Sequence, residues 1–210
     1  MGGGNCMGWP AAIGVAWLIG WLPVGNMIKR LFRQTNPCLV GFEETSLIRL
    51  LKEGGPEAVL LVLATDVGKG VASALAAGWL TGSATAGLVA GLVAQAAYFY
   101  GRNGKGLLVV AGAVYICSPS AAQTGAAVWM ASLLLGRFQS VASVLAVWST
   151  PVWALIFGEG IAKASAMLAM AVLLTFQYRD EFRQVLEGKE HPLQWKRLFQ
   201  RGKQAGRVEL

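Results

Sequence analysis

Ala84-Thr-Ala-Gly-Leu-Val-Ala-Gly-Leu-Val-Ala-Gln-Ala-Ala-Tyr-Phe-Tyr100, followed at once by Gly101-Arg-Asn-Gly-Lys-Gly106, decides how this chain is read. The first stretch has no charged side chain, and two cations stand directly after it. An apolar run ending in Tyr98-Phe-Tyr100 suits a helix that crosses a bilayer and leaves it through a belt of aromatic rings. Arg102 and Lys105 then mark a turn on the cytoplasmic side, where short loops collect Lys and Arg. Within the run, Gly87 and Gly91 have the small-xxx-small spacing that lets helix backbones approach closely.

The same pattern repeats on either side. Apolar runs occupy Trp9–Val24, Ala58–Leu80, Leu107–Cys117, Gly125–Leu135, Val141–Phe157 and Ile161–Phe176. Of the 210 residues, 55% are hydrophobic and 14% charged, against about 25% charged in an ordinary soluble domain. That balance excludes a water-soluble globule, and the abundance of Leu, Val, Ala and Trp excludes a disordered or collagen-like chain. The reading is an all-α, polytopic membrane bundle of about seven spans, residues 1–177, followed by a cytoplasmic basic tail, residues 178–210. Leu107–Cys117 and Gly125–Leu135 flank Ser118-Pro-Ser120, and each is shorter than the roughly 20 residues of a straight span. They are either two short helices that dip in and return or one broken hairpin.

Charge fixes the expected orientation. Met1–Gly8 has no basic residue, so a cleaved signal peptide is not expected. Lys29, Arg30 and Arg33 follow the first run, which places the N-terminus outside and the C-terminus in the cytoplasm. Of the 18 Lys and Arg, all but Lys69 and Lys163 then fall on the cytoplasmic side. The net charge of +7 thus reflects loops facing the cytoplasm, not a nucleic-acid surface. In the tail, Trp195, Leu198 and Phe199 share a helical face beside Lys196, Arg197 and Arg201. A segment such as Trp195–Arg207 either lies on an anionic leaflet or is simply solvated. Cys6, Cys38 and Cys117 have no metal or disulfide spacing, and His191 is the only histidine, so neither a metal site nor a histidine triad is expected.

Few residues in the runs can carry chemistry. Asp66 and Lys69 share a helix face three apart, either as a functional pair or as a buried salt bridge. The glycines of Gly101–Gly106 allow backbone N–H groups to converge on an anion, with Arg102 and Lys105 adding charge and the next helix an N-terminus; a short basic turn is the plainer reading. It is not a Walker A loop, because Phe99 and Gly106 stand where that motif needs Gly and Ser or Thr. Arg137-Phe-Gln-Ser-Val-Ala-Ser143 puts Ser140 and Ser143 on an inward face, where they bond a neighbour or simply cap and pack.

Taken in order, these segments resemble the bacterial membrane glycerol-3-phosphate acyltransferases that use an acyl-phosphate donor, the PlsY type. Leu22-Pro-Val-Gly25 resembles the end of that family's first span, and Asp66-Val-Gly-Lys-Gly70 its D-x-x-K-G. Asn103-Gly-Lys-Gly106 is similar to its G-G-K-G, and Arg137–Ser143 to its R-Y-x-S-L-x-S. Tyr178-Arg-Asp-Glu-Phe-Arg183 and Glu187-Gly-Lys-Glu190 resemble its closing H-R-x-N-I-x-R-L-x-x-G-x-E. The likeness runs roughly from residue 10 to 190.

The resemblance implies a multi-pass protein of the bacterial plasma membrane that joins an acyl phosphate to glycerol 3-phosphate and yields lysophosphatidic acid, with no cofactor and no metal. It implies catalytic roles for Lys105, Arg49 and Lys69. Substrate binding would fall to Thr45, Arg102, Gly104, Gly106, Asp66, Arg137, Ser140, Ser143 and Arg179. Several family positions differ here. Aligned on Arg49, the first motif keeps Thr45 but has Leu39 for Ser and Gly41 and Ser46 for Asn. Val93 stands for a His, Asn103 for the first Gly, Tyr178 for His and Glu181 for Asn. Glu43, Glu44 and Glu181 bring carboxylates that repel phosphate. The alternative is a catalytically eroded member that binds a lipid, an anion or a partner protein. A small transporter built on Asp66 and Lys69 is weaker still, because the chain lacks a repeated half.

Overall fold

The computed structural model describes residues 8–24, 27, 47–101, 104–136, 139–179 and 183, with the backbone alone for 47–56, 58, 136 and 139. Regular structure among them is helical throughout: α1 Gly8–Trp21, α2 Leu47–Thr81, α3 Ala84–Tyr100, α4 Leu107–Cys117, α5 Pro119–Gly136, α6 Gln139–Ile156 and α7 Ile161–Gln177. The expected all-α bundle is what the chain forms. Val59–Thr81 is long and apolar enough to cross a bilayer unaided, and most of the other apolar helices are shorter.

The distribution of side-chain size follows from the solvent. Small residues fill the contacts between α1, α2 and α3: Ala12, Ala16, Ala77, Ala86, Ala90 and Ala94 are all buried. Large apolar side chains point outward instead, among them Trp79, Leu135, Ile161 and Leu134. Water would penalise so much exposed apolar surface, whereas hydrocarbon does not, and helices in lipid associate through close backbone packing. The glycines show how close. A Cβ on Gly70 would overlap the Val109 carbonyl oxygen, and one on Gly112 the Val67 carbonyl oxygen, so α2 and α4 touch backbone to backbone. The Gly87/Gly91 face is also used: added methyl groups there would strike Cys117 Sγ at 2.7 Å and the Ala113 side chain. Cys117 is thus a buried filler.

Around this centre, α1 packs on α2 and α3, α4 on α2, α3, α5 and α7, and α6 on α5 and α7. Leu88, Val110, Val114, Met167, Met170 and Leu174 form the second, larger core between α3, α4 and α7. Two segment boundaries differ from the sequence reading. α2 extends back through Gly54-Gly55-Pro56 to Leu47, because a helix once nucleated propagates readily into Leu-Ile-Arg-Leu-Leu-Lys-Glu, residues of good helix propensity. α5 begins at Pro119, well before Gly125. Ser118 leaves the helical region at φ −156° and ψ 80°, as the clash with a following Pro favours, and Pro119 opens the new helix where its missing N–H costs nothing. The break therefore separates two helices.

The bundle has two polar ends. Lys163 near the start of α7 meets the Cys117 carbonyl at the end of α4. Gln177 at the end of α7 lies beside Gly106 at the start of α4. The end bearing Gly106 also receives the end of α3 and the chain just beyond α1, and it is where the candidate site sits.

Candidate functional site

The base of the site is a charge pair on α2. Asp66 and Lys69 are 5% and 6% exposed, so neither charge is tolerable without partners. Lys69 Nζ lies 3.9 Å from Asp66 Oδ1 and donates to the Leu22 carbonyl at 2.8 Å. Tyr98 on α3 donates its hydroxyl to Asp66 Oδ2 at 2.8 Å, and its ring lies under Lys69, 4.6 Å from Nζ to centroid. One pair three residues apart thus ties α2 to α3 and to the chain leaving α1. Tyr98 is not part of an aromatic belt: it is buried, whereas Tyr100 is exposed and meets Trp17.

Above Tyr98 runs the glycine loop. Gly104 has φ 144° and Gly106 φ 73°, values that side chains with a Cβ rarely adopt. A Cβ on Gly104 would lie 3.1 Å from Tyr98 Cε1, so the loop rests directly on the ring. Gly106 caps α4 with no side-chain hydrogen bond, and a helix start carries free N–H groups and a positive dipole end. Lys105 turns towards the far side, with Nζ 4.8 Å from the centroid of Tyr178. Tyr178 is buried just past α7 and shares a hydrogen bond with Ser143. Burial pushes the Tyr178 phenol up, with that hydrogen bond opposing the shift, so it stays neutral beside Lys105 at physiological pH. Ser143 also accepts from Trp129 Nε1 at 3.3 Å. Ser140, three residues earlier on α6, is buried on the same helix. Arg179 is exposed, with its guanidinium 4.5 Å from the Phe176 ring centroid.

The structure therefore brings Asp66, Lys69, Gly104, Lys105, Gly106, Ser140, Ser143 and Arg179 to helices and turns that adjoin one another. It places Arg49 on α2 twenty residues ahead of Lys69, about 30 Å along a helix axis, with its side chain outside the described residues. Thr45, Arg102, Arg137, Glu181, His191 and the Trp195–Arg207 tail lie outside the described residues. Sequence reasoning missed two buried amides, Gln95 and Gln177, and the roles of Tyr98 and Tyr178. The available signal was Gln95 itself, a polar side chain in a run that otherwise has only Ala, Gly, Thr, Leu, Val and aromatic residues.

Chemically, this end offers a glycine turn, a helix start and an ammonium held over a ring, all suited to an oxyanion. A family model described as glycerol-3-phosphate acyltransferase matches residues 11–188. The chain belongs to that family. Among its relatives, the glycerol-3-phosphate acyltransferase of Pseudomonas paraeruginosa is 29% identical over 190 residues, covering 88% of this chain and 98% of that one. The one from Neisseria meningitidis serogroup C is 27% identical over 195 residues, covering 89% and 98%. The fold is shared with crystal structures of PlsY, an integral membrane glycerol 3-phosphate acyltransferase. Its glycerol 3-phosphate form superposes with a TM-score of 0.73 at 23% identity, over 91% of this chain and 98% of that one. Its lysophosphatidic acid form gives 0.71 over 88% and 94%. This chain is accordingly a membrane protein of the acyltransferase family.

Proposed function

We propose that this acyltransferase moves an acyl group from an acyl phosphate to the 1-hydroxyl of glycerol 3-phosphate, giving lysophosphatidic acid. The observation that supports it best is the Gly104-Lys105-Gly106 turn at the start of α4, resting on Tyr98 and facing Tyr178. In the reaction the acceptor hydroxyl oxygen forms an ester bond to the acyl carbon. The bond from that carbon to the phosphate oxygen breaks, and the hydroxyl proton passes to the departing phosphate, so the chemistry requires no protein base. The protein's part is electrostatic and positional. Lys105 and the loop N–H groups hold a phosphate, Arg102, Arg137 and Arg179 supply further cations, and Thr45, Ser140 and Ser143 supply hydroxyls. Asp66 and Lys69 hold the floor of the site.

The membrane placement that goes with this reading is a multi-pass protein of a bacterial inner membrane, N-terminus outside, with the site and the basic tail at the cytoplasmic leaflet. Trp195–Arg207 would then meet anionic lipid. The carboxylates Glu43, Glu44 and Glu181 in phosphate-binding motifs favour a second reading, a non-catalytic member that retains anion binding. Purified protein given palmitoyl phosphate and glycerol 3-phosphate separates the two. Lysophosphatidic acid in detergent micelles, dependent on the acyl phosphate and not on an acyl carrier protein thioester, is the expected result. Absence of product with glycerol 3-phosphate still bound would establish the second reading.

A further inference from the structure

Two amides lie against the start of α4 with hydrogen-bonding capacity unused. Gln95 on α3 is fully buried and Gln177, the last residue of α7, is 5% exposed. A Cβ on Gly106 would lie 3.0 Å from Gln95 Cγ and 3.8 Å from Gln177 Oε1, so both side chains flank the helix cap. Gln95 donates Nε2 to the Met170 carbonyl at 3.4 Å. Its Oε1, and both Nε2 and Oε1 of Gln177, have no hydrogen-bond partner among the described residues. Buried polar atoms are almost always paired, and leaving one unpaired is costly.

The chemistry of the unused atoms narrows what could meet them. Two are carbonyl oxygens, which accept only, and one is an NH2 group, which donates. A phosphate dianion has acceptors alone, so it satisfies the NH2 group and is repelled by both oxygens. An alcohol donates one hydrogen bond and also accepts, and so meets the NH2 group and one of the two oxygens at once. The neighbouring Lys105 and glycine turn already suit the anion. We propose that Gln95 and Gln177 form the subsite for the non-reacting 2-hydroxyl of the acceptor, and so make this enzyme select a phosphorylated triol over a phosphorylated diol. This rests on the acyl-transfer reading above. Gln177 ends its helix and is followed by Tyr178, the ring beneath Lys105, so the amide and the ammonium meet at the same end of α7.

The test compares glycerol 3-phosphate with 3-hydroxypropyl phosphate, which keeps the phosphate and the reacting hydroxyl and lacks the 2-hydroxyl. Wild-type protein is expected to favour glycerol 3-phosphate in kcat/KM by about tenfold or more, as sites that bond a substrate hydroxyl do. Gln177→Met and Gln95→Met, made separately, should each bring that ratio towards one, mainly by raising KM for glycerol 3-phosphate, with KM for palmitoyl phosphate unmoved. Turnover of 3-hydroxypropyl phosphate by the same variants reports that they are folded. A ratio unchanged from wild type in both variants overturns the proposal, as does loss of turnover with both acceptors alike. Wild-type protein that acylates neither acceptor overturns the acyl-transfer reading itself, and the subsite with it.

Discussion

The two ends of the bundle treat buried polarity in opposite ways. At the end where α4 breaks into α5, Glu159 accepts from Ser118, from Ser120 at 2.8 Å and from Lys163 at 3.0 Å. Lys163 also donates to the Cys117 carbonyl. Three side chains of the chain thus donate to that one carboxylate, and the knot joins the α4–α5 break to the turn before α7. At the other end, three amide atoms beside Gly106 are left over among the described residues, and a glycine turn and a helix start face them. A self-satisfied cluster is a fastener, because a ligand would have to replace bonds already made. An incompletely satisfied one is where a ligand gains most. The contrast assigns structure to the Glu159 end and chemistry to the Gly106 end, although both hold a Lys–carboxylate pair.

The largest effect should come from Lys105. Lys105→Ala is expected to lower kcat/KM for acyl transfer by about 10²- to 10³-fold, the scale of losing one preorganised charge or donor at a reacting centre. Lys105 also meets the Tyr178 ring, a contact worth about 0.5–1 kcal/mol, so the melting temperature in detergent is measured beside turnover to show that the variant is folded. Turnover within twofold of wild type would remove the glycine turn from the mechanism and collapse the distinction between the two ends.

Lys69 tests the floor of the site. Lys69→Met leaves the Asp66 carboxylate buried without its cation, an arrangement that costs about 3–5 kcal/mol. Unfolding in mixed micelles of rising sodium dodecyl sulfate should show a loss of that order. Asp66→Asn combined with Lys69→Met should recover a good part of it, since no uncompensated charge then remains. A double variant as unstable as the single one would mean that the ties to Leu22 and Tyr98, rather than the pairing of charges, hold this region together.

Much of the fold was legible because lipid imposes simple rules on sequence. Ala84–Tyr100 and Leu107–Cys117 appear where the apolar runs put them. The start of α2 was not legible from apolarity, since the helix continues into a polar stretch that only propensity supports. The site was half legible. Asp66 and Lys69 stood out as charges in an apolar run, and Gly104–Gly106 as a basic glycine turn. Their partners did not, because which rings and amides meet them depends on contacts between helices that spacing within one helix does not encode. Tyr98 looked like its exposed neighbour Tyr100, and only the rotation of α3 against α2 turns one ring inward and the other out. Arg49 shows the reverse limit: a family motif names it, yet it stands twenty residues ahead of Lys69 on one long helix, a separation that the motif does not reveal.

Gly112 probes the packing that holds the two ends in register. Its Cβ would overlap the Val67 carbonyl, so Gly112→Ala forces α2 and α4 apart and should cost about 1–3 kcal/mol, the range for overpacking a tight contact. Activity should fall with stability, because Gly106 caps the same helix that Gly112 seats. Gly78 has nothing within 4 Å of its Cβ position, and Gly78→Ala is the matched control, expected to leave stability unchanged or slightly raised.

The smallest effect is a pH dependence confined to the fastened end. Burial opposes ionisation of Glu159, but hydrogen bonds from Ser118, Lys163 and Ser120, together with the charge of Lys163, outweigh it and hold the carboxyl below its ordinary 4.5. A carboxyl whose folded value is depressed adds stability that is complete above its unfolded value and is lost as pH falls through the folded one. Melting temperature should thus be flat down to about pH 4.5 in respect of this group and decline below it. Glu159→Gln should remove that part of the decline and lower stability at pH 7 by about 1.5–3 kcal/mol, the range for hydrogen bonds to a charged group. Acyl transfer at pH 7, measured below the variant's melting temperature, should be unchanged. A Glu159→Gln variant that loses turnover while keeping its melting temperature would place chemistry at the end assigned here to structure, and the division between the two ends would fail.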